Sequence, residues 1–406
     1  MADKSMAPLG SSQPTFIVPT DIPDNDDDKP VEGPRPASLG PLEIPAVVFG
    51  AAALSGSYND EAHLRSATPL RTVRLALRYG ITAFDTSAYY GPSEIILGSL
   101  LQDDRIRNEF PRSSYKIVTK CGRYGEADFD YTPATIRASI ERSLKRLGTT
   151  YLDVVLLHDV EFVAEQIVPA GEAARNHLGA LSDSGASDWG LAPGGGATSH
   201  GPGDEKVVEA IRELYKLQAE GLTRAVGISG YPLPTLLRLA RLISARLKPI
   251  DAVLSYSNYD LSNSTFAAFV PQFKAAGVAQ ISTASPFSMG LLTPRPPEWH
   301  PAPPELKAVA RDASALVEQR GFVGGLPAVA LGFALRRDAT TTQQQQLQDV
   351  PLVVGLSNLH EVNEIVKAWR RITAGGVESE ESRVLEEEVR ELFVRSRWAN
   401  WCWPSP

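Results

Sequence analysis

The sequence predicts an α/β protein, a (β/α)8 TIM barrel, from three observations. Short apolar runs alternate with amphipathic helical patterns eight times along the chain, which is the repeat of a parallel barrel. The length of 406 residues suits one large barrel that carries terminal segments and insertions. Polar side chains follow several predicted strands directly, and this is where barrels of this class place their chemistry.

The predicted strands are short apolar runs that end at polar residues or glycine. The first strand and its following loop occupy 45–55. The later strands are predicted at 81–84, 115–119, 152–157, 225–228, 252–256, 278–283 and 351–354.

The predicted helices occupy the intervals between strands, with apolar residues on one face. The helix over 133–147 has the clearest ends, a Thr132 N-cap and a Gly148 stop. Another helix opens at Pro92. The remaining helices are predicted at 70–79, 205–219, 234–247, 266–276, 305–337 with an interruption at 321–326, 360–373 and 380–395.

Composition divides the chain into three parts. Residues 1–40 are rich in Pro, Ser and Asp and cannot bury much apolar surface, so we expect a disordered tail. The barrel spans 41–380, and 381–406 form a last helix and a Trp-rich tail. A Gly/Ser-rich segment at 181–204 and a Thr/Gln tract at 340–348 are predicted as flexible surface insertions. The first insertion emerges on the catalytic face, either as a lid or as a solvated loop without a role.

Net charge, the length of apolar runs and the number of cysteines argue against several classes of protein. A net charge of −8 without a basic stripe disfavours nucleic-acid binding. No apolar run approaches the roughly 18 to 20 residues of a membrane span, and no secretory signal is visible. Two cysteines, Cys121 and Cys402, make no disulfide framework, and the scattered histidines show no metal-ligand spacing. We expect a soluble cytoplasmic protein without metal, of unknown oligomeric state.

Four polar residues follow three successive strands, namely Asp85, Tyr90, Lys120 and His158. Each has an ordinary interpretation. A strand-end Asp often caps a helix, a Lys after a strand is usually a solvated charge, and His158 beside Asp159 can cap a helix. Together on one face of a barrel, they form an arrangement that these separate interpretations do not predict.

Such a group supports proton transfer to or from a carbonyl or alcohol oxygen. A phenol has a pKa of about 10, and a neighbouring ammonium such as Lys120 lowers it. Asp85 can hold that ammonium in a salt bridge, and His158 can orient the substrate oxygen. No G-x-S-x-G elbow is present. Acid–base chemistry of this kind without a metal points to a hydride carrier.

The motifs that contain these residues resemble those of the aldo-keto reductases, (β/α)8 oxidoreductases that use a nicotinamide cofactor. The resemblance covers 42–369. The matching segments are Asp85-Thr86-Ser87-Ala88-Tyr89-Tyr90-Gly91 with Glu94 and Gly98, Val118-Thr119-Lys120, and Tyr151-Leu152-Asp153 through Leu157-His158. The resemblance implies that Tyr90 is the proton donor or acceptor and that Lys120 lowers the pKa of Tyr90. It also implies that Asp85 pairs with Lys120 and that His158 orients the substrate.

The resemblance also implies a cofactor site, with departures from the family pattern. Gly230 stands where the family has an Asn, Ala284 where many members have a stacking Tyr, and Ser255 or Tyr256 where a Gln is common. The implied cofactor-binding residues are Gly50, Ser229, Gly230, Ser255, Ser285, Phe287, Gly290, Leu291, Gly355, Ser357, Glu361 and Glu364.

The segment from Val354 to Glu364 indicates NAD rather than NADP. Members that prefer NADP hold its 2′-phosphate with a Lys at the Gly355 position and an Arg at the Glu361 position. Both cations are missing here, and a carboxylate repels a phosphate but accepts from a 2′-hydroxyl. Glu364 matches the acidic residue that contacts the adenine amino group.

Local features narrow the resemblance to the branch of fungal NAD-dependent D-arabinose 1-dehydrogenases and plant L-galactose dehydrogenases. They are the segments 158–162, 254–259 and 284–292 and the Trp-rich terminus 398–403. This branch oxidises the anomeric carbon of an aldose to a 1,4-lactone, on routes to ascorbate-type antioxidants. The sequence does not choose among D-arabinose, L-galactose and L-fucose.

Three other interpretations stay open. One is an NADPH-dependent aldehyde or ketone reductase of the same family, against which the missing cations argue. Another is a non-catalytic cofactor-binding partner subunit. The third is a redox sensor at Cys121, beside Lys120, although a buried filler explains that cysteine as well.

Overall fold

A computed structural model describes residues 16–22, 24–337, 341–403 and 405. Within them, eight parallel strands close into a barrel in chain order, the last pairing with the first. This confirms the predicted (β/α)8 fold. The strands are β1 Val47–Gly50, β2 Ala83–Asp85, β3 Lys116–Cys121, β4 Leu152–Leu157, β5 Thr223–Gly230, β6 Ala252–Tyr256, β7 Gln280–Ala284 and β8 Leu352–Gly355.

Helices surround the barrel and pack their apolar faces on its outer surface. Gly148 ends the helix after β3 in a left-handed conformation, as predicted, whereas Thr132 begins that helix without a side-chain cap. The helices are α1 Glu61–Leu64, α2 Thr68–Arg78, α3 Ser93–Gln102, α4 Asp104–Arg107, α5 Pro133–Leu147, α6 Pro202–Ala219, α7 Leu233–Arg246, α8 Phe266–Ala275, α9 Pro304–Gln319, α10 Gly325–Leu335, α11 Thr342–Gln346, α12 Leu359–Ala374 and α13 Val377–Arg395. No helix in the described ranges is both long enough and apolar enough to cross a bilayer.

The barrel interior is a separate apolar cluster to which most strands contribute. Small and branched side chains fill it, including Val48, Ala83, Val154 and Leu254. Ile44 joins this cluster from a short antiparallel hairpin, Ser38–Leu39 with Ile44–Pro45, that precedes β1. The packed interior and the hairpin leave the carboxyl ends of the strands as the open face.

The N-terminal segment differs from the expected disordered tail over 1–40. Residues 1–15 lie outside the described residues, but 24–39 pack against the barrel. Asp28 is 3% exposed and its Oδ1 accepts from Arg71 Nε at 2.8 Å. The Arg370 guanidinium donates to the backbone carbonyls of Val31, Glu32 and Pro34. Composition misleads here because specific arginines on α2 and α12 hold a segment that has little apolar surface.

The Gly/Ser-rich insertion is also packed, in contrast to the predicted flexible segment at 181–204. A series of short 3-10 helices runs through 171–197, and α6 already begins at Pro202. Trp189 and His177 are only 3% and 2% exposed, and their rings meet edge to face. The Thr/Gln tract differs similarly from its prediction, because most of its described part forms α11 and Leu347 is buried.

The C-terminal part belongs to the barrel's helical shell. Helix α13 begins at Val377, before the boundary expected at 381, and packs on α9, α10 and α12. A buried ion pair joins Arg336, just after α10, to Glu386 of α13 at 2.8 Å. Residues 398–403 then return to the open face of the barrel, where the Trp403 ring stacks on Tyr231 with centroids 3.9 Å apart.

Candidate active site

A wide cleft opens at the carboxyl ends of the barrel strands. It has a volume of about 2660 Å³ and runs from β2 and β3 to the loop between β8 and α12. All four predicted catalytic residues line it, namely Asp85, Tyr90, Lys120 and His158. Parallel strands bring their ends to one face, so residues far apart in the sequence meet there.

Asp85 and Lys120 form a buried ion pair at the bottom of the cleft. The Lys120 Nζ donates to Asp85 Oδ1 at 2.5 Å and to the Thr86 carbonyl at 3.1 Å. The two side chains are 6% and 2% exposed. Burial raises the pKa of Asp85, and the Lys120 charge opposes that rise. The second carboxylate oxygen, Oδ2, is buried without a hydrogen-bond partner among the described residues.

Tyr90 lies between this ion pair and His158. The Lys120 Nζ is 4.9 Å from the centre of the Tyr90 ring, and the His158 ring meets Tyr90 edge to face at 5.4 Å. Burial raises the pKa of the Tyr90 hydroxyl well above its usual value, and the carboxylates of Asp85 and Asp159 raise it further. The expectation that Lys120 lowers this pKa stays a prediction, because burial is the largest influence on Tyr90 in the protein alone and the ammonium is paired with Asp85.

His158 is held as a neutral imidazole. Burial lowers its pKa to about 3 despite the nearby Asp159 carboxylate. The Ser87 hydroxyl lies 2.8 Å from Nδ1 and accepts from the Tyr89 N–H. If that hydroxyl donates to Nδ1, the ring proton sits on Nε2, which can then donate to a ligand. Tyr131 fixes the backbone by donating to the His158 carbonyl at 2.6 Å.

Two further motif residues, Glu94 and Gly98, hold α3 in place against β3 and α5. Glu94 of α3 accepts from Thr119 of β3 at 2.7 Å and pairs with Arg146 of α5 at 3.4 Å, all buried. A Cβ on Gly98 would lie 1.9 Å from the Arg146 carbonyl, so only glycine lets α3 pack this closely on α5. Glu94 and Gly98 together fix α3, which follows Tyr90, relative to β3, which carries Lys120.

Most of the predicted cofactor-binding residues share this cleft. They are Gly50, Ser229, Ser285, Phe287, Gly290, Gly355, Ser357, Glu361 and Glu364. Ser285, Ser288 and Met289 have positive φ angles, a sparsely populated conformation for residues with side chains. His300 stabilises this loop through a 2.8 Å contact between its Nε2 and the Ser288 carbonyl.

Three predicted residues, Gly230, Ser255 and Leu291, do not line the cleft. Ser255 is fully buried and donates to the Tyr231 carbonyl at 3.2 Å. The adjacent Tyr256 lines the cleft instead, because neighbouring strand residues point to opposite faces. Leu291 is buried in the hydrophobic core.

The Glu161 carboxylate explains why position 230 is a glycine. A Cβ there would lie 2.1 Å from Glu161 Oε2, so Glu161 fills the space that a side chain at 230 would need. Glu161 Oε1 accepts from the Tyr231 N–H at 2.8 Å, while Oε2 has no partner among the described residues. Burial and the Asp159 carboxylate raise the pKa of Glu161 to about 8.

Glu361 has a structural role at the start of α12. Its Oε2 accepts from the Ser357 N–H at 2.6 Å, and its Oε1 accepts from Asn358 Nδ2 at 3.0 Å. Asn358 Oδ1 accepts in turn from the Glu361 N–H, which completes a reciprocal cap. Asn59 Nδ2 donates to Ser357 Oγ at 3.0 Å and ties the loop after β1 to this point.

Sequence reasoning missed several residues that reach the site. Arg123 and Asp159 line the cleft beside His158 and form an ion pair. Both follow strands directly, as the four predicted residues do, so strand-end position is the signal that identifies them. Trp403 and Tyr231 give no such signal, since their contact depends on the path of the C-terminal segment.

The chain matches the model of the aldo/keto reductase family over residues 46–377. It belongs to the aldo/keto reductase family. Two relatives align over nearly all of the chain. The L-galactose dehydrogenase of Arabidopsis thaliana is 34% identical over 90% of this chain and 94% of its own. The D-arabinose 1-dehydrogenase of Saccharomyces cerevisiae is 31% identical over 88% and 91%.

Solved aldo-keto reductases share the fold. The aldo-keto reductase AKR11C1 from Bacillus halodurans, in its holo form, matches with a TM-score of 0.55 at 21% identity, covering 87% of this chain and 96% of its own. The glycerol dehydrogenase AKR11B4 from Gluconobacter oxydans matches with a TM-score of 0.54 at 19% identity, covering 92% and 97%. The chain is thus an oxidoreductase of a family that binds nicotinamide cofactors.

The cleft fits such a cofactor. It connects Tyr90 and Lys120 at one end with Ser357 and Glu364 at the other, and it exceeds the roughly 300–1,000 Å³ of common small-ligand pockets. A Cβ on Gly355 would meet nothing within 4 Å, so the end of β8 leaves open space. The described residues contain no cluster of His, Cys, Asp and Glu suited to a metal ion.

Proposed function

We propose that this protein oxidises the anomeric carbon of an aldose with NAD⁺ and forms an aldono-1,4-lactone. The observation that carries the proposal is the convergence of Asp85, Tyr90, Lys120 and His158 at one end of a cleft large enough for a dinucleotide. The names of the two relatives, at 34% and 31% identity, support an aldose as the substrate.

In this proposal, Tyr90 takes the proton of the anomeric hydroxyl while C1 loses hydride. When bound in the cleft, an oxidised nicotinamide would supply the hydride-accepting carbon and a positive charge. Such a charge would favour the phenolate and oppose the raised pKa of Tyr90, and the Lys120 ammonium beside the ring would act in the same direction.

His158 positions the substrate oxygen in this scheme. Its pKa of about 3 keeps it neutral throughout the physiological range, so it acts as a hydrogen-bond donor and not as the proton acceptor. Ser87 and Tyr131 hold the ring and the backbone, which limits the directions in which Nε2 can donate. The acid–base role therefore falls to Tyr90.

Preference for NAD is the second part of the proposal. Glu361 places a carboxylate at the end of the cleft, and its oxygens already accept from Ser357 and Asn358. Since these oxygens already accept hydrogen bonds, we infer that Glu361 disfavours NADP⁺ by repelling its 2′-phosphate. Lys367, a cation of α12 that lines the cleft, is paired with Glu364 at 2.8 Å.

The experiment is a kinetic comparison with purified protein. NADH formation is measured with D-arabinose, L-galactose and L-fucose, NADP⁺ is tested in parallel, and the product is identified as lactone or free acid by NMR. We expect turnover of at least one aldose with a clear preference for NAD⁺. Failure to oxidise any aldose, or preference for NADP⁺, would contradict the proposal.

A further inference from the structure

An ion pair that the acid–base scheme does not use lies beside the reacting groups. Arg123 follows β3, Asp159 follows β4, and the Arg123 Nη1 donates to Asp159 Oδ2. Asp159 Oδ2 is 3.6 Å from His158 Nε2, which is too long for a hydrogen bond but places the pair next to the nitrogen that faces the substrate. Both residues line the cleft.

The pair is held rigidly from the protein side. The Arg123 guanidinium lies 4.0 Å from the centre of the Tyr89 ring, and the stacked rings of Phe129 and Phe162 flank it at 5.1 and 5.2 Å. Its Nε donates to the Gly125 carbonyl at 3.3 Å, and its Nη2 to the Glu126 carbonyl at 3.1 Å. These contacts fix the plane of the guanidinium before any ligand arrives.

Hydrogen-bonding capacity remains on both partners. A guanidinium has five N–H donors, and three hydrogen bonds of Arg123 leave two donors available. Asp159 Oδ1 accepts no hydrogen bond from the residues that the structure describes, whereas Oδ2 is taken by Arg123. The pair therefore offers donors and an acceptor side by side, which matches hydroxyl groups that each donate and accept.

The backbone of Asp159 has an unusual conformation. It has φ 53° and ψ 59°, in the left-handed region that residues with side chains rarely adopt. Such conformations persist where the surrounding structure enforces them, and they cluster at ligand sites. Here the conformation turns the chain directly after His158 and brings the carboxylate back toward the cleft.

We propose that Arg123 and Asp159 bind two adjacent hydroxyl groups of the sugar next to its reacting carbon and thereby select polyhydroxylated substrates. This inference rests on the proposed function and names two substrate-binding residues for it. A ligand without those hydroxyls would leave a desolvated ion pair unsatisfied, so the pair would discriminate against simple alcohols and aldehydes.

The test compares Asp159→Asn and Arg123→Lys with a matched control, Arg112→Lys. Arg112 forms a similar ion pair with Asp153 at 2.7 Å and lies over the rings of Tyr115 and Tyr151, but far from the cleft at the opposite end of β3 and β4. Substrates are the preferred aldose and its 2-deoxy and 3-deoxy analogues.

The two cleft variants should lower kcat/KM for the full aldose by about 10- to 100-fold, mainly through KM, as expected for lost hydrogen bonds to charged groups. The loss should shrink to a few-fold with the analogue that lacks the contacted hydroxyl, and Arg112→Lys should change neither value. Equal losses for the aldose and both analogues would overturn the inference. A change confined to the pH profile of kcat would also overturn the inference, because such a change would show that the ion pair acts on the pKa of Tyr90 and not on the sugar.

A binding measurement separates this inference from the proposed function. Saturation-transfer NMR with the same aldoses and NAD⁺ reports contact without turnover. If the wild type binds an aldose without oxidising it, and Asp159→Asn weakens that binding, the proposed function fails and the hydroxyl site stands. If the wild type binds no aldose, or if both variants bind as well as the wild type, the inference is overturned.

Discussion

At the scale of single residues, burial and the neighbouring carboxylates of Asp85 and Asp159 keep the tyrosine protonated. Both charges are buried, and the Lys120 Nζ donates to Asp85 Oδ1 at 2.5 Å, while Asp85 Oδ2 has no partner among the described residues. The ammonium is therefore neutralised in the protein alone, and the pKa of Tyr90 is raised by its surroundings. The site is set for a protonated Tyr90 until a cationic ligand changes the local field.

Replacing Tyr90 by Phe removes the proposed acid–base group and little else. We expect aldose oxidation to fall by about 10²- to 10⁴-fold, the usual contribution of a positioned acid or base. The dissociation constant for the nicotinamide cofactor, measured by quenching of protein fluorescence, should stay within a few-fold of the wild type.

Tyr89→Phe is the matched control for this experiment. The Tyr89 ring lies 6.2 Å from the Tyr90 ring and 5.7 Å from His158, yet the scheme gives its hydroxyl no role. Its variant should keep most of the activity. Comparable losses in both variants would count against the assignment of Tyr90.

At the scale of elements, the start of α12 combines a helix cap with the proposed selection of the cofactor. Glu361, Ser357 and Asn358 share hydrogen bonds that fix the first turn after β8. The same carboxylate contributes the negative charge at the end of the cleft. A change at this position therefore acts on stability and on cofactor preference together.

Glu361→Arg should move the preference toward NADP⁺ by roughly tenfold, equivalent to about 1.4 kcal/mol. It should also lower the free energy of unfolding by about 1 kcal/mol, because the two hydrogen bonds that the Glu361 carboxylate accepts in the cap are lost. The ratio of kcat/KM values for the two cofactors measures the first effect, and urea unfolding measures the second.

Glu361→Gln separates these contributions. The amide oxygen can still accept from the Ser357 N–H, but the charge is gone and the amide nitrogen cannot accept from Asn358 Nδ2. We expect a smaller shift of preference and a smaller loss of stability than for Glu361→Arg. An unaltered cofactor ratio in both variants would show that this carboxylate does not select the cofactor.

At the scale of the whole molecule, two buried histidines couple folding to pH. Burial lowers the pKa of His158 and of His177 to about 3. Unfolding exposes both rings and returns their pKa values to about 6.5. At these two groups the unfolded chain thus binds more protons between pH 3 and 6.5, so their contribution to stability falls as the pH drops below 6.5.

Glu161 and Asp260 act in the opposite direction, because burial raises their pKa values to about 8 and about 6, so the histidine contribution is measured as a difference between variants. His177→Phe keeps an aromatic ring against Trp189 and Tyr231 but cannot be protonated, so its midpoint of thermal unfolding should rise relative to that of the wild type as the pH falls from 6.5 to 5. His360→Gln alters an exposed histidine and should follow the wild type. Identical slopes for His177→Phe and the wild type would exclude a contribution from His177.

The barrel and its four central polar residues could be predicted because both depend on local patterns. Apolar periodicity identifies a strand or helix, and the closure of parallel strands brings their ends together without further information. The same reasoning applied to Arg123 and Asp159 would have identified the second ion pair. Element ends differed by a few residues, as at α6 and α13, each of which begins directly after a glycine and has no side-chain cap that the sequence could indicate.

The remaining features depend on contacts between distant segments. Composition alone suggests disorder for residues 24–39, yet Arg71 and Arg370 hold that segment in place. The insertion is ordered because Trp189 and His177 find buried surroundings. Ser255 was assigned to the wrong face of β6 because a shift of one residue reverses every side chain of a strand.

Glu161 and Gly230 restrict the order in which this sequence can change. A side chain at position 230 collides with the Glu161 carboxylate as long as that carboxylate is present. Removing Glu161 first leaves the buried Tyr231 N–H without its acceptor, at a cost of about 1–3 kcal/mol. The two positions are therefore coupled: an asparagine at 230 requires the Glu161 carboxylate to move, and any movement of Glu161 affects the Tyr231 N–H.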